Sequence, residues 1–537
     1  MNEMIESSLG NGPRSRRSKA LPGAGLILFA LAMLATGCGD SSSDGFKLKD
    51  IEFHGDRSAD ASESGDRSSH NSEGTDEGQP NVVLVSVDDL DLQMTQTLPQ
   101  LQKVMADKGI TFENSFVTNP LCCPSRATTL RGQYAQNTLV QGNQPPQGGH
   151  KKFQRLGRER STFATWLDEA GYQTAYMGKY MNGYHGTEVP PGWDDWLAVS
   201  GDYASDDLTY NGRLLPNVLK ERYETDVLSQ KSSLYIERAA KSQKPFFLYV
   251  APRAPHQPAE PAPRHEDLFS GDEVPADPSE DPAYNEADVS DKPPWLSQRQ
   301  PLTQQEKLRM DELHRDRLRS MQSIEEMMVR LEEKLRQTGE LDNTYIIFTS
   351  DNGHHMGQHR LPIGKWTAYE EDIRVPLMVR GPGVPEDESR EHMVTNNDLA
   401  PTFADLAGAS TPSFVDGRSL APLLESGSFQ QQEWRRAFLV EGGRFFQEAG
   451  AGDPIDRPRF DSVRTADHLY VEYATGAREL YDLRKDPHQL ENLLSPGATE
   501  ADPETVARLE RRLDELRDCS GEDCHRAETM DAAGDTS

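Results

Sequence analysis

Four apolar runs recur through the chain: NVVLVSV (81–87), YQTAYMG (172–178), KPFFLYVA (244–251) and TYIIFTS (344–350). Each is short for a buried helix and too continuous for a strand with one wet face, so each reads as a strand covered on both faces of a parallel sheet. Segments with helical periodicity lie between them. LPQLQKVMADKG (98–109) and STFATWLDEAG (161–171) both stop at glycine, the second opening on Ser161 as a cap, and a long helix is expected from about Gln304 to Gln337. This alternation specifies an α/β sheet with helices on both faces. After about Arg436 the runs shorten: FLVEGG, DSVRTADHLYVEY and RELYDL read as strands joined by turns, followed by a helix near 502–518. That is the pattern of a smaller α+β subdomain.

The ends of the chain read differently. Arg14, Arg16, Arg17 and Lys19 precede LILFALAMLA, an apolar stretch short for a membrane span, and ATGC follows at 35–38. This resembles the export leader of a bacterial lipoprotein, with Cys38 lipidated and the chain anchored to a membrane in the cell envelope. An ordinary cleaved signal, leaving a periplasmic or extracellular protein, is the plainer alternative. Arg16–Arg17 also fits twin-arginine export. Residues 39–79, rich in Ser, Asp and Gly, read as a disordered tether, and 526–537 as a disordered tail. Between them the expected domains are a catalytic 80–435 and a C-terminal 436–525. Residues 258–301, dense in Pro, Asp and Glu, read as a surface insertion over a site. The net charge of −31 excludes nucleic acid as a partner, since phosphate binding needs a basic surface. It leaves room for an anionic substrate gripped by a local cluster of cations.

Ligands of open α/β sheets bind beyond the carboxyl ends of the strands. NVVLVSV is followed by Asp88, Asp89 and Asp91, and TYIIFTS by Asp351 and Asn352. YQTAYMG is followed by Lys179, and FFLYVAPRAP by His256. One such residue is an ordinary turn or cap. Four strands delivering oxygen donors, an ammonium and an imidazole to one edge are a candidate site. Asp88, Asp89, Asp351 and Asn352 suit a hard divalent cation, calcium first and magnesium second, and no Cys/His spacing argues for zinc.

The chain has five cysteines, and two stand together in LCCPSRATTLRG (121–132). Pro124 and Ser125 suit a first helical turn and Gly132 a stop. Cys122 is thus placed at a helix N-terminus, where negative charge is favoured, with Arg126 one turn on. Adjacent cysteines make a strained ring. Cys519 and Cys524, in CSGEDC, pair more readily with each other in an oxidising compartment. For Cys122 a nucleophile and a free structural thiol both remain open on these residues alone.

Cys122-Cys123-Pro124-Ser125-Arg126 resembles the C-x-P-S-R signature of type I sulfatases. NVVLVSVDDLD, AYMGKY, APRAPH, SDNGHHMGQHRLPIGKWTAYEEDIRVPLMVRGPG and ELYDLRKDP resemble further blocks of that family in its order, from about Pro80 to Cys524. The phrasing is nearest the N-acetylglucosamine-6-sulfatase-like branch. The resemblance implies an alkaline-phosphatase-like α/β fold, a large mixed sheet flanked by helices, with a short antiparallel sheet in the C-terminal subdomain. It implies a sulfuric ester hydrolase in which a formylglycine-generating enzyme oxidises Cys122 to Cα-formylglycine, whose hydrate attacks sulfur. Asp88, Asp89, Asp351, Asn352 and the modified Cys122 would hold Ca2+, or Mg2+. Arg126, Lys179 and Lys365 would stabilise charge, and His256 would serve as acid for the leaving oxygen. A sulfated carbohydrate, such as 6-O-sulfated N-acetylglucosamine, is the expected substrate.

One departure stands out. Many family members carry histidine two residues after the equivalent of Lys179, where this chain has Met181 followed by Asn182. Asn182, His354 and His355 are candidate substrate contacts, and His354, His355 and His185 candidate substitutes for the missing base. His359 and the GWDDW segment (192–196) are candidates for the pocket wall or for packing. Two alternatives remain at this stage: a phosphate or phosphonate monoester hydrolase on the same fold, and an inactive lipoprotein that binds sulfated glycans.

Overall fold

A computed structural model describes residues 78–271, 273–427, 434–443, 445–447, 455–498 and 501–530. The leader with Cys38 and nearly all of the tether lie outside the described residues. Among the described residues no helix is long and apolar enough to cross a membrane.

The four apolar runs are neighbours at the centre of a ten-stranded mixed sheet. Asn81–Val87 lies between Thr344–Ser350 and Phe246–Ala251, parallel to both, and Gln173–Gly178 continues the parallel order beyond Phe246–Ala251. All residues of Asn81–Val87 and of Phe246–Ala251 are buried, as runs without polar alternation require. A fifth parallel strand, Asp195–Val199, follows, and its antiparallel neighbour Leu208–Tyr210 leads to the edge at Arg213–Leu215. On the other side Leu377–Arg380 runs antiparallel to Thr344–Ser350.

Helices cover the sheet. On one face Val82, Leu84, Phe247 and Tyr249 share a core with Phe163, Leu167, Leu399 and Phe403 of the helices Phe163–Glu169 and Leu399–Leu406. The long helix Gln304–Thr338 opens on a capping box between Thr303 and Glu306 and ends at Gly339, whose φ of 80° suits glycine. The helix expected over 161–171 takes its cap from Thr162, which exchanges hydrogen bonds with Thr165, rather than from Ser161. The helix expected over 98–109 is shorter, Pro99–Val104 with a single 3-10 turn after it.

The C-terminal part forms a four-stranded antiparallel sheet of Ala437–Gly442, Phe460–Thr465, His468–Tyr473 and Arg478–Asp482. Helix Pro503–Asp518 packs on it, and Cys519 is disulfide-bonded to Cys524. The tail expected to be disordered from 526 begins as helix: Glu522–Thr529 is helical, because Glu528 is fully buried and takes hydrogen bonds from Arg435, Arg418 and Tyr134. Residues 531–537 lie outside the described residues. The 258–301 segment packs on the loop that follows Thr344–Ser350, with Asn285 N–H donating to the Gly357 carbonyl at 2.8 Å and Glu286 meeting His359 at 2.7 Å.

Candidate active site

Strand register levels the chemistry. Val87 pairs with Ser350 and Gly178 with Ala251, so the residues that follow emerge at one edge. The ladder continues past the strands: Asp351 N–H donates to the Val87 carbonyl at 3.0 Å and Lys179 N–H to the Ala251 carbonyl at 2.7 Å. Gly178 has φ of 124°, and a Cβ there would lie 2.0 Å from the Ala251 oxygen, so only glycine lets Lys179 turn into the site. Asp89 takes the left-handed conformation, φ 66°, and is held in it by Arg317 of the long helix, whose Nη2 donates to the Asp89 carbonyl at 2.7 Å.

Cys122 opens the wholly buried helix Cys122–Arg131. Leu121 gives no side-chain cap, and Asn143 Oδ1 accepts the Cys123 N–H at 2.9 Å in its stead. Gly132 ends the helix with φ of 66°. The Cys122 sulfur lies 2.7 Å from Lys365 Nζ and 3.7 Å from Asp88 Oδ1. Lys179 Nζ donates to Asp88 Oδ2 at 2.5 Å, and Lys365 is also hydrogen-bonded to Asp89. Arg126 donates through Nε to Asp351 Oδ2 at 2.8 Å and through Nη1 to the Lys179 carbonyl at 2.6 Å. His256 Nε2 faces Asp89 at 3.5 Å, and its Nδ1–H donates to the Gln257 carbonyl at 2.6 Å, which fixes the tautomer.

Charge here is dense and dry. Burial pushes the Asp88 carboxyl up, but Lys179, His256, Arg126 and Lys365 together hold it well below the usual range. Asp351, crowded by burial and by Asp88, is pushed up to about 6. Burial raises the Cys122 thiol and pushes His256 down to about 4. Burial also works against the Lys365 ammonium, yet Asp89, Cys122 and Asp88 outweigh it and raise its pKa.

The donor set fits a hard cation. Ligand atoms of Asp88, Asp89, Cys122 and His256 lie within 4.8 Å of one another. Asn352 is fully buried, its Nδ2 donates to Asp89 Oδ1 at 2.7 Å, and its Oδ1 has no hydrogen-bond partner. An orphaned amide oxygen beside carboxylates is a ligand in want of a metal. Asp351 spends one oxygen on Arg126 and receives the Asp89 N–H, at 3.1 Å, on the other.

Comparison with known proteins agrees with this geometry. Residues 80–409 match the sulfatase family, and 357–519 match the family described as N-sulphoglucosamine sulphohydrolase, C-terminal. The chain belongs to the sulfatase family. It is similar to an arylsulfatase of Volvox carteri, 35% identical over 504 residues, which span 83% of this chain and 76% of that protein. It is 33% identical to the N-acetylglucosamine-6-sulfatase of Capra hircus over 494 residues, 84% of this chain and 86% of the relative. Among solved structures, a protein in complex with its substrate D-glucosamine-2-N,6-O-disulfate superposes with a TM-score of 0.68 at 25% identity, covering 83% of this chain and 98% of the other. The protein is a sulfuric ester hydrolase.

This sulfatase gathers Asp88, Asp89, Cys122, Arg126, Lys179, His256, Asp351, Asn352 and Lys365 at one edge. The histidines beyond them divide. His354 stays with the site, its Nδ1 3.7 Å from Asp89 Oδ2 and neither ring nitrogen hydrogen-bonded. His355 is bonded to Asp372 at 2.8 Å and faces Arg457 at 3.3 Å, which makes it a support of the loop rather than a substrate contact. His359 is buried against Glu286 and Tyr369. His185 lines a separate open hollow with Gly186, Ser200 and Asp202. Met181 belongs to the core, and Asn182 uses its carbonyl to accept the His150 N–H at 2.9 Å, while its buried Oδ1 has no partner. Trp193 and Trp196 of GWDDW pack in the core, Trp196 stacked on Tyr176 at 4.8 Å, so the segment does not wall the pocket.

Tyr203 was not foreseen. Its hydroxyl sits between Lys179, Asp88 and Cys122. The signal was present: Tyr203 follows Asp195–Val199, a fifth parallel strand whose short run WLAV hides between tryptophan and turn residues.

Proposed function

We propose that this sulfatase removes the sulfate from a 6-O-sulfated amino sugar, with Cys122 oxidised to Cα-formylglycine as the nucleophile and with calcium held by Asp88, Asp89, Asp351 and Asn352. The observation that carries this is the position of Cys122, first residue of a helix, set between Asp88 and Lys365 with Lys179 and Arg126 close behind. The substrate class rests on the relatives: one is named for N-acetylglucosamine-6-sulfate chemistry and one was solved with a 6-O-sulfated glucosamine. Export as a lipoprotein remains a proposal supported by the leader sequence alone.

Asp88, Asp89, Asp351 and Asn352 would hold the calcium, which would supply Lewis acidity toward a sulfate oxygen, and residue 122, as the aldehyde hydrate, would supply the attacking oxygen. The chain's own residues do the rest. Lys179 and Lys365 flank the reacting position and bind the ester's anionic oxygens, where their charge favours the transition state. Arg126 holds Asp351 in place by its Nε. His256 presents Nε2 to the site, because Gln257 claims Nδ1. A sulfate ester anion opposite that nitrogen favours the protonated ring, which then gives its Nε2 proton to the departing alcohol oxygen.

Mass spectrometry of the tryptic peptide Gly109–Arg126 from protein made in a host with a formylglycine-generating enzyme tests the nucleophile. The expected spectrum shows residue 122 as an aldehyde and Cys123 as an intact thiol. Two intact thiols in active protein would sink the assignment.

A further inference from the structure

Tyr203 touches four members of the site with one side chain. Its hydroxyl accepts from Lys179 Nζ, donates to Asp88 Oδ2 at 3.1 Å and lies 3.7 Å from the Cys122 sulfur. Its ring lies flat on His256, centroids 3.6 Å apart and planes within 5°. The loop that carries it is clamped from behind. Arg253 Nη1 donates to the carbonyls of Tyr203 and Asp202 at 2.9 and 3.2 Å, and Arg253 N–H is itself bonded to Glu224 at 3.0 Å. A lysine on four rotatable carbons does not hold one position unaided, and a hydroxyl that bridges its ammonium to a carboxylate supplies the missing constraint. An imidazole at the mouth of the site, only 17% exposed, likewise gains a fixed plane from a stacked ring.

We propose that Tyr203 is a positioning residue for sulfate ester hydrolysis: its hydroxyl fixes the Lys179 ammonium beside residue 122, and its ring fixes the plane in which His256 meets the leaving oxygen. The proposal rests on the reading of Cys122 as nucleophile and His256 as acid. It assigns separate work to the two halves of one side chain, so two substitutions separate them.

Tyr203→Phe keeps the ring and removes the hydroxyl. Its kcat falls on the order of tenfold to a hundredfold, as expected for losing a hydrogen bond to a charged group, and falls equally for 4-nitrophenyl sulfate and phenyl sulfate. Tyr203→Leu removes the ring as well. Its further loss is greater for phenyl sulfate, whose poorer leaving group needs the proton more, by about tenfold over 4-nitrophenyl sulfate. If the further loss in Tyr203→Leu is the same for both esters, as for a residue that only fills space, the role given to the ring is overturned.

Rates are expressed per molecule carrying the aldehyde, measured on the 109–126 peptide of each variant. A failure to install the nucleophile is thereby distinguished from a misplaced lysine. Calorimetric binding of inorganic sulfate decides the matter without turnover: Tyr203→Phe binds sulfate about tenfold more weakly than wild type, and unchanged affinity overturns the role given to the hydroxyl. An unconverted thiol in the wild-type chain counts against the Cys122 reading alone, since sulfate affinity still reports on Lys179.

Discussion

Two clusters of buried charge among the described residues of this sulfatase are built differently. At the strand ends Asp88, Asp89 and Asp351 face Lys179, Lys365 and Arg126. At the seam between the large and small sheets Asp398 and Glu528 face Arg435 and Arg418. In the seam every nitrogen of the Arg435 guanidinium is engaged, Nε with Glu528 at 3.0 Å and Nη2 with Asp398 at 2.8 Å, Nη1 also with Asp398. The remaining acceptors take Tyr134 O–H at 2.5 Å and the N–H groups of Thr395 and Arg418 at 2.8 and 2.9 Å. Arg418 Nε is a seam guanidinium nitrogen left without a partner, whereas at the strand ends Asn352 Oδ1, Arg126 Nη2 and both nitrogens of His354 have none. Lys365 and His256 keep 12% and 17% of their side chains exposed, so the cluster has a mouth. Buried charge alone therefore does not mark a site. Unspent hydrogen-bonding capacity with access from outside does.

The largest expected effect comes from breaking the seam. Arg435→Met leaves two fully buried carboxylates without their main cation, and urea unfolding should show a loss of about 3–5 kcal/mol. Turnover per folded molecule should be unchanged. Lys365→Met is the matched change at the strand ends: stability within about 1 kcal/mol of wild type in calcium, and turnover down on the order of a hundredfold or more. If Arg435→Met unfolds at the wild-type urea midpoint, the seam is not a rivet and the contrast between the two clusters fails.

Much of this contrast was legible in the sequence, though unevenly. The apolar runs Asn81–Val87 and Thr344–Ser350 announced buried parallel strands because both faces are covered, and the residues after them, Asp88 and Asp351, became neighbours through register alone. Cys122 was legible because its surroundings, Pro124 to Gly132, are a short-range helix pattern. The seam was not legible. Asp398, Arg435 and Glu528 are far apart in the chain, carry no local pattern, and Glu528 sits in a segment whose composition reads as disordered. His355 misled, and His359 stayed open between pocket wall and packing, for a related reason. A histidine in a loop near catalytic residues looks the same in sequence whether it faces substrate or, as here, a buried Asp372 or Glu286. GWDDW stayed open between pocket and packing because aromatics line cores and pockets alike, and the fold resolves it as packing.

Calcium sharpens the comparison further. A ligand that binds only the folded state at a hundredfold excess over its Kd raises stability by about 2.7 kcal/mol. Thermal melts with added calcium should show that gain in wild type and in Arg435→Met, since no oxygen of Asp398 or Glu528 is without a hydrogen-bond partner. Asp89→Asn should lose most of it. A gain of equal size in Asp89→Asn means that the cation binds elsewhere.

Glu441 tests what a buried carboxylate does with neither a metal nor a paired arginine. It stands on Ala437–Gly442, 3% exposed, with Oε2 accepting the Gln136 N–H at 3.0 Å and Oε1 unpartnered. Burial, only partly offset by the Gln136 and Ala135 N–H groups and by Arg459, pushes its carboxyl from the ordinary 4.5 up to about 8. Between those values the folded protein keeps a proton that the unfolded chain has released. Its contribution to stability is therefore complete below about 4.5 and is lost as the pH rises through about 8. Across that window unfolding free energy should fall by up to about 1.4 kcal/mol per pH unit from this group. Glu441→Gln keeps the acceptor for Gln136 and cannot ionise, so urea unfolding between about pH 5 and 8 should give it a flatter profile than wild type. Matching slopes in the two proteins would mean that Glu441 ionises in the folded state as it does in water, and that its surroundings are less dry than the strand ends.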